Sequence, residues 1–248
     1  MLLLLPPSET KRDGGDPDRA LDLDDLGFPT LTRQRKAAIA ALRRLSRTKG
    51  AAMTALKLGA TLGDEIRRNR ELLVAPVMPA LDRFDGVLYD ALDAPTLSAA
   101  ARAFAGEHVV IASALFGLVR ALDAVPAYRL SPDSRLPGLP LVKHWAPAAG
   151  AALAAHAGEQ LVLDLRSEAY AALGPAPAGA WFVRVVSEGD DGRRRALNHF
   201  NKHGKGELVR RMLDAGVDHP DLGSLLEWAQ ASGIRLEHGT PGELDLVV

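Results

Sequence analysis

The stretch of this sequence best suited to hold a phosphate is Asn201-Lys202-His203-Gly204-Lys205-Gly206, followed directly by Glu207-Leu208-Val209-Arg210-Arg211-Met212-Leu213. Gly204 and Gly206 admit backbone angles that a Cβ forbids, and so predict a tight turn. Leu208, Met212 and Leu213 recur at helical spacing and predict a helix opening from that turn. A turn that opens a helix presents backbone N–H groups to an anion. Lys202, Lys205 and Arg210 add positive charge around the same point. The stretch compares with the hairpin of helix-hairpin-helix DNA-binding units, which offer N–H groups to a phosphate from a Gly-x-Gly turn. Such contacts grip the nucleic-acid backbone and read no bases. A plain strand-to-helix turn with exposed lysines fits the same residues equally well.

Other spacings carry less. Ser8-Glu9-Thr10-Lys11 has the Ser-x-x-Lys spacing in which a lysine activates a serine, but no partner motif of the penicillin-recognising enzymes follows. No catalytic residue is assigned. His199 and His203 stand four apart, as two ligands on one helix face would, yet no Glu takes the zincin position between them. The seven histidines are scattered without metal spacing, so surface histidines are expected and no metal site. There is no Walker motif and no dinucleotide-binding glycine fingerprint, and no cofactor is expected.

Charge along the chain is segregated although the formal net charge is only -1. Asp13, Asp16, Asp18, Asp22, Asp24 and Asp25 form an acidic block. From Leu26 to Gly63 there is no acid, while Arg33, Arg35, Lys36, Arg43, Arg44, Arg47, Lys49 and Lys57 fall there. A second basic zone runs from Arg193 to Arg211, interrupted only by Glu207. Such asymmetry can build a positive face on a neutral protein. The chain lacks cysteine, which excludes disulfides, iron–sulfur clusters and thiol chemistry. Met1 to Leu5 is too short an apolar run, without a basic flank, for a signal peptide. No apolar run approaches the roughly 20 residues of a membrane span. A cytoplasmic protein with no membrane partner is expected.

The elements that must position these residues read as an alternation of helices and strands. Leu2–Leu5 predicts a buried strand, and Asp13–Pro29 a long polar loop. Thr32–Arg47 predicts a helix with an apolar stripe of Ala38, Ile39, Leu42 and Leu45 and a basic sector of Lys36, Arg43, Arg44 and Arg47. Ala51–Asn69 predicts a second helix, weakened by Gly59 and Gly63. Gly86–Leu92 reads as an apolar turn or short strand, Thr96–Ala105 as a helix capped by Thr96, and His108–Ser113 as a central strand. Leu115–Leu122 reads as a helical turn and Tyr128–Pro140 as irregular. Leu141–Ala157 predicts a helix, Gln160–Leu165 a strand and Ser167–Leu173 a short helix. Trp181–Val186 and Arg195–Phe200 read as strands joined by a hairpin at Gly189–Gly192. Leu222–Ser232 predicts a helix ended by Gly233, with a final hairpin from Ile234–Glu237 and Leu244–Val248. No low-complexity linker divides the chain. The expected fold is α/β (mixed α+β): a single domain, residues 1–248, with a central mixed sheet flanked by helices.

Several segments in register resemble the YaaA family, known for a role in the response to peroxide stress. Met1 to Lys11 is similar to the family's apolar strand followed by Ser-Pro-Ala-Lys-Thr. Phe84 to Leu92 resembles Phe-x-Gly-x-x-Tyr-x-Gly-Leu, and Ser113 to Asp123 resembles Ser-Gly-Leu-Tyr-Gly-x-Leu-Arg-Pro-Leu-Asp. Tyr128-Arg129-Leu130, Arg135-Leu136, Trp145 and Leu165 to Tyr170 follow in order. Phe200 to Gly206 with Arg210 looks like aromatic-x-Lys-Lys-x-Arg-Gly-x-x-x-Arg. The chain departs from the pattern where Glu9 replaces the first-loop lysine, with Lys11 two places on as a substitute. His203 and Lys205 replace a lysine and an arginine, and Ala91, Ala114 and Ala121 replace Gly, Gly and Pro.

The resemblance implies a single α/β domain with a positively charged cleft and a helix-hairpin-helix-like element. It also implies binding to duplex or branched DNA without sequence preference, and protection from peroxide by limiting free iron. On this reading Lys202, Gly204, Lys205, Gly206, Arg210, Arg129, Arg135 and Lys11 contact phosphates. A rival expectation is an enzyme acting on a nucleotide or phosphorylated small molecule in a basic pocket. Lys11, Tyr128, Arg129, Arg135, Ser167, Tyr170, Lys202 and Arg210 all fall in loops or at element ends, where sites are built. Ser167 or Tyr170 would then handle protons. Convergence in a pocket favours the enzyme; an open basic groove favours DNA.

Overall fold

The structure is a computed structural model. It describes residues 1–59, 61–189, 194–196 and 201–248, with the backbone alone at 195 and 196. Ten strands and ten α-helices are assigned among these, besides two short 3-10 turns: β1 Leu2–Leu5, α1 Thr32–Leu45, α2 Lys49–Ala55, α3 Gly63–Glu71, β2 Val77–Pro79, α4 Ala80–Arg83, α5 Val87–Leu92, α6 Ala99–His108, β3 Val109–Ser113, β4 Gly117–Arg120, β5 Ala124–Pro126, α7 Leu141–Ala157, β6 Val162–Asp164, α8 Glu168–Ala171, β7 Trp181–Glu188, β8 Arg194–Ala196, α9 Asn201–Ala215, α10 Leu222–Ala231, β9 Leu236–His238 and β10 Glu243–Val247.

The main sheet runs β4-β3-β1-β6-β7-β10-β9, and β8 pairs with the far end of β7. Its middle, β3-β1-β6-β7-β10, is parallel, while β4 and β9 close the two ends antiparallel. Parallel strands covered on both faces must be apolar throughout. Leu2 to Leu5 and Val109 to Ala112 are accordingly all buried. A small second sheet pairs β2 with β5.

Strand order makes β1 a switch point. The chain leaves β1 and returns as β3 on one side, then crosses to β6 on the other. Crossovers that diverge from one strand leave a crevice beyond its carboxyl end, where α/β sheets commonly bind ligands. The residues that enter it here are Pro6 to Lys11.

The mixed α/β architecture, with a central mixed sheet flanked by helices, matches the sequence expectation, with local corrections. The expected helix over Ala51–Asn69 is two helices, α2 and α3, separated near the glycines that weakened it. Gly86–Leu92 is helical, as α5. The helix expected from Thr96 begins at Ala99, capped by the Ser98 hydroxyl accepting from the Ala101 N–H at 3.1 Å. Leu115–Leu122 holds strand β4, which turns back on β3 through Gly117 at φ 73°. β7 and β8 (Arg194–Ala196) pair antiparallel as expected, while residues 190–193 of the connecting turn and 197–200 of the expected second strand lie outside the described residues.

The largest correction falls on Gly204-Lys205-Gly206. No tight turn forms there: all three residues lie inside α9 and are buried. The glycines serve close packing. A Cβ on Gly206 would lie 2.2 Å from the Leu88 carbonyl oxygen, so α5 crosses α9 at backbone contact. Beside Gly204 stand Val185 of β7 and Val248 just after β10. The turn that the likeness to helix-hairpin-helix units requires is therefore absent at these residues.

Candidate active site at the end of the first strand

Lys11 is placed by backbone contacts on either side. It forms an antiparallel bridge with Phe84. The buried Arg83 side chain binds the carbonyls of Arg12, Gly14 (3.0 Å), Pro76 (2.9 Å) and Val125 (3.0 Å), which locks the following loop to α4 and β5. The preceding loop is held where the Tyr89 hydroxyl donates to the Pro6 carbonyl at 2.8 Å.

So fixed, the Lys11 side chain runs inward and is 4% exposed. Its Nζ donates to the Glu9 carbonyl at 3.1 Å and sits 4.2 Å from the Tyr128 ring centre and 5.7 Å from that of Phe84. Among the described residues Lys11 joins no ion pair. Burial, assisted by the charge of Arg129, brings its pKa down to about 7, while Glu65 and Glu9 oppose the shift. Near neutral pH a large share of Lys11 is therefore an uncharged amine with a free lone pair.

Tyr128 forms the floor under that amine. Its hydroxyl hydrogen-bonds the Ser113 Oγ at 2.7 Å, and its ring meets Phe116 edge-on at 5.3 Å. Ser113 ends β3, and its Oγ also accepts the N–H of Leu115 (3.2 Å) and of Phe116 (2.9 Å). Burial pushes the Tyr128 hydroxyl far above its ordinary range, and does the same to Tyr89 and Tyr170. All three phenols stay protonated at physiological pH and act only as neutral hydrogen-bonding groups.

Arg129 comes from the loop after β5. Its backbone is pinned by the buried Asn69 of α3, which accepts the Arg129 N–H at 2.8 Å and donates to its carbonyl at 2.9 Å. The guanidinium is paired with the exposed Glu9 carboxylate, and its buried Nε has no partner. Glu65 and Arg68 join from the same face of α3, four and one positions before Asn69. They pair at 2.7 Å, and Arg68 also reaches Asp13 at 2.6 Å. The second carboxylate oxygen of Glu65, Oε2, is buried and unpartnered.

Of the expected phosphate contacts, then, Lys11 and Arg129 come together. The others take separate places. Lys205 is buried, donates to the Leu165 carbonyl at 3.0 Å and stacks on Phe182, and burial lowers its pKa to about 8. Arg210 ties α9 to the end of α5, donating to the carbonyls of Leu92 and Asp93 at 3.2 Å and to Thr96 Oγ1 at 2.7 Å. Arg135 is exposed and lines a depression of about 690 Å³ with Thr54 and Lys57 of the α2 region. Lys202 is exposed on α9; His203 faces Glu207, and His199 lies outside the described residues. Of the two proposed proton carriers, Tyr170 is buried near Tyr128 and Glu9, whereas Ser167 is exposed. Glu65, Arg68 and Asn69 escaped the sequence reading; the one available signal was their helical spacing beside an acidic first turn.

A mixed α/β sheet with a buried lysine and an arginine beyond the carboxyl end of its switch-point strand defines the class: an α/β protein whose candidate site lies at a strand end. The comparisons then give the family. The chain belongs to the family described as "Peroxide stress protein YaaA", whose profile matches residues 1–233. It is 43% identical to a UPF0246 protein of Corynebacterium efficiens, over the whole of both chains. It is 42% identical to a UPF0246 protein of Corynebacterium glutamicum, over 96% of this chain and 95% of the other. With a UPF0246 protein of Streptomyces coelicolor it shares 38% identity over 100% of this chain and 98% of that one. Among the described residues no helix is long and apolar enough to cross a membrane.

Proposed function

We propose that the chain serves the peroxide-stress response as an enzyme acting on a small phosphorylated molecule or nucleotide, bound between Lys11 and Arg129. The observation that carries this reading is their convergence at the β1 switch point. An arginine there has a displaceable internal carboxylate, Glu9, on its guanidinium. Beside it stands a lysine that burial holds near neutrality. A ligand phosphate replaces Glu9 on Arg129, and the Lys11 amine is then a base or nucleophile of suitable pKa. Titration calorimetry with ribose 5-phosphate, AMP and inorganic phosphate tests it. Binding is expected to fall at least tenfold in Arg129→Gln and to be unchanged in Lys202→Ala; equal binding by the wild type and Arg129→Gln would overturn it.

A specific surface favours a second reading, sequence-tolerant binding of duplex or branched DNA that shields it and helps limit free iron and oxidative damage. Lys36, Arg43 and Arg44 are exposed on α1, which ends at Leu45, two residues short of the expected helix, with Arg47 exposed just beyond it and Lys49 at the start of α2. Arg47, Lys49, Arg67 and Arg70 also line a hollow of about 430 Å³ with only Asp64 as a local acid. Duplex titration at two salt concentrations tests this. Affinity should fall steeply with salt, and Lys36→Ala, Arg43→Ala and Arg47→Ala, each removing one cation from a phosphate, should each reduce the slope by about 0.9.

A further inference from the structure

We infer that Lys11 is a covalent centre, whose amine condenses with the carbonyl carbon of a phosphate-bearing aldehyde or ketone held by Arg129. The inference rests on the small-molecule reading above and names the substrate class and the bond formed.

The neighbouring cations show why Lys11 differs. Arg35 and Arg83 are buried too, but main-chain carbonyls saturate much of each guanidinium: Arg35 reaches those of Gly27, Phe116 and Leu118 at 2.6 to 3.0 Å. They are tie-bars. Lys11 makes one hydrogen bond, to the Glu9 carbonyl, and otherwise faces aromatic rings. A lysine desolvated among apolar groups and set next to another cation is the arrangement that frees its lone pair for attack on a carbonyl. Arg129 supplies that neighbouring cation and also the anchor for a phosphate. Its unpartnered Nε and displaceable partner Glu9 leave donors for it.

The step balances within the site. The Lys11 lone pair forms the C–N bond as the carbonyl π pair moves to oxygen and is protonated. Loss of one proton from nitrogen gives a neutral carbinolamine. Its hydroxyl then departs as water together with the remaining N–H proton, and the nitrogen lone pair closes the C=N bond. The sum is amine plus carbonyl giving imine plus water, with no oxidant or reductant. Glu65, one oxygen held by Arg68 and Oε2 buried and unpartnered, acts on the amine only through its field, from beyond ion-pair distance, and the protons exchange with water. The imine acidifies the adjacent carbon, which is the common step of aldol cleavage, dehydration and decarboxylation.

The test uses the full chain and dihydroxyacetone phosphate at neutral pH with borohydride, followed by peptide mapping, and glycerol 3-phosphate in parallel calorimetry as the carbonyl-free analogue. The expected result is saturable labelling of Lys11 at least tenfold faster than of exposed Lys36 or Lys202, suppressed by glycerol 3-phosphate and reduced in Arg129→Gln. Mapping on the wild type keeps the test independent of whether Lys11→Arg folds. If glycerol 3-phosphate binds through Arg129 while Lys11 stays unlabelled, the covalent inference falls and the phosphate site stands. If neither binding nor labelling is seen, both fall.

Discussion

The Lys11 Nζ lies 4.2 Å from the centre of the Tyr128 ring, buried and, among the described residues, without a carboxylate partner. Two effects compete there. The ring's quadrupole favours the ammonium by about 0.5–2 kcal/mol. Desolvation and the Arg129 charge oppose it and win, since a pKa near 7 against an ordinary 10.5 is a bias of several such increments. The ring thus serves as a floor that excludes water more than as a counter-charge.

That balance fixes a pH dependence. Lys11 has a folded pKa of about 7 and an ordinary value of 10.5. Below pH 7 both states bind the proton and the folded chain bears the full cost of a buried charge. Between the two values the unfolded chain binds a proton the folded chain does not, so stability rises with pH; above 10.5 the cost is gone. The groups facing the amine are Arg129 and Arg68, which depress its pKa, and Glu65 and Glu9, which raise it. Lys11→Met should therefore be more stable than wild type at pH 6, on the order of a few kcal/mol, with the gap closing towards pH 10. Urea unfolding of both proteins at several pH values checks this, and parallel curves would refute it.

Two glycines in one helix should respond oppositely. Gly206→Ala drives a Cβ against the Leu88 carbonyl oxygen and Ala91, and should cost about 1–3 kcal/mol as α5 and α9 part. Gly204→Ala meets side-chain methyls of Val248, Val185 and Leu246 at 3.3, 3.4 and 3.7 Å and no backbone atom among these, while alanine favours the helix by about 1 kcal/mol. Thermal denaturation should show Gly204→Ala near or above wild type. Similar losses in both would mean that they share a role other than packing.

Asp164 and Arg166 form a buried, two-pronged ion pair at 2.7 and 2.8 Å where β6 ends. Asp164→Ala leaves the arginine charge buried with only the Gly174 carbonyl to hold it. A loss of about 3–5 kcal/mol is expected in denaturant unfolding. A loss under 1 kcal/mol would show that water reaches Arg166 on mutation.

Glu9 competes with any anion for Arg129. Glu9→Gln removes that competitor, and inorganic phosphate should bind several-fold more tightly by calorimetry. Because the pair lies at the surface on the Glu9 side, stability should change by less than about 1 kcal/mol. Weaker phosphate binding in this variant would mean that Glu9 orients Arg129 and does not block it.

Local pattern alone determined much of the framework. Leu2–Leu5, Leu141–Ala157 and the closing hairpin are where periodicity and end signals put them, because each element is specified by its own neighbours in sequence. The segregation of charge towards α1 was legible too, down to the exposed Lys36, Arg43, Arg44 and Arg47. Position in the tertiary structure decided what individual cations do. Arg35, Arg83, Arg166, Lys205 and Arg210 look in the sequence like the solvated basic residues around them, yet each donates to main-chain carbonyls of other segments, Arg166 to one and to the Asp164 carboxylate. The glycines of α9 read as a turn because φ freedom and close approach call for the same residue, and only the position of α5 separates the two. Lys11 became a candidate for chemistry because α3, α4 and the loop after β5 remove water from its amine. Desolvation depends on residues distant in sequence, which no local pattern contains.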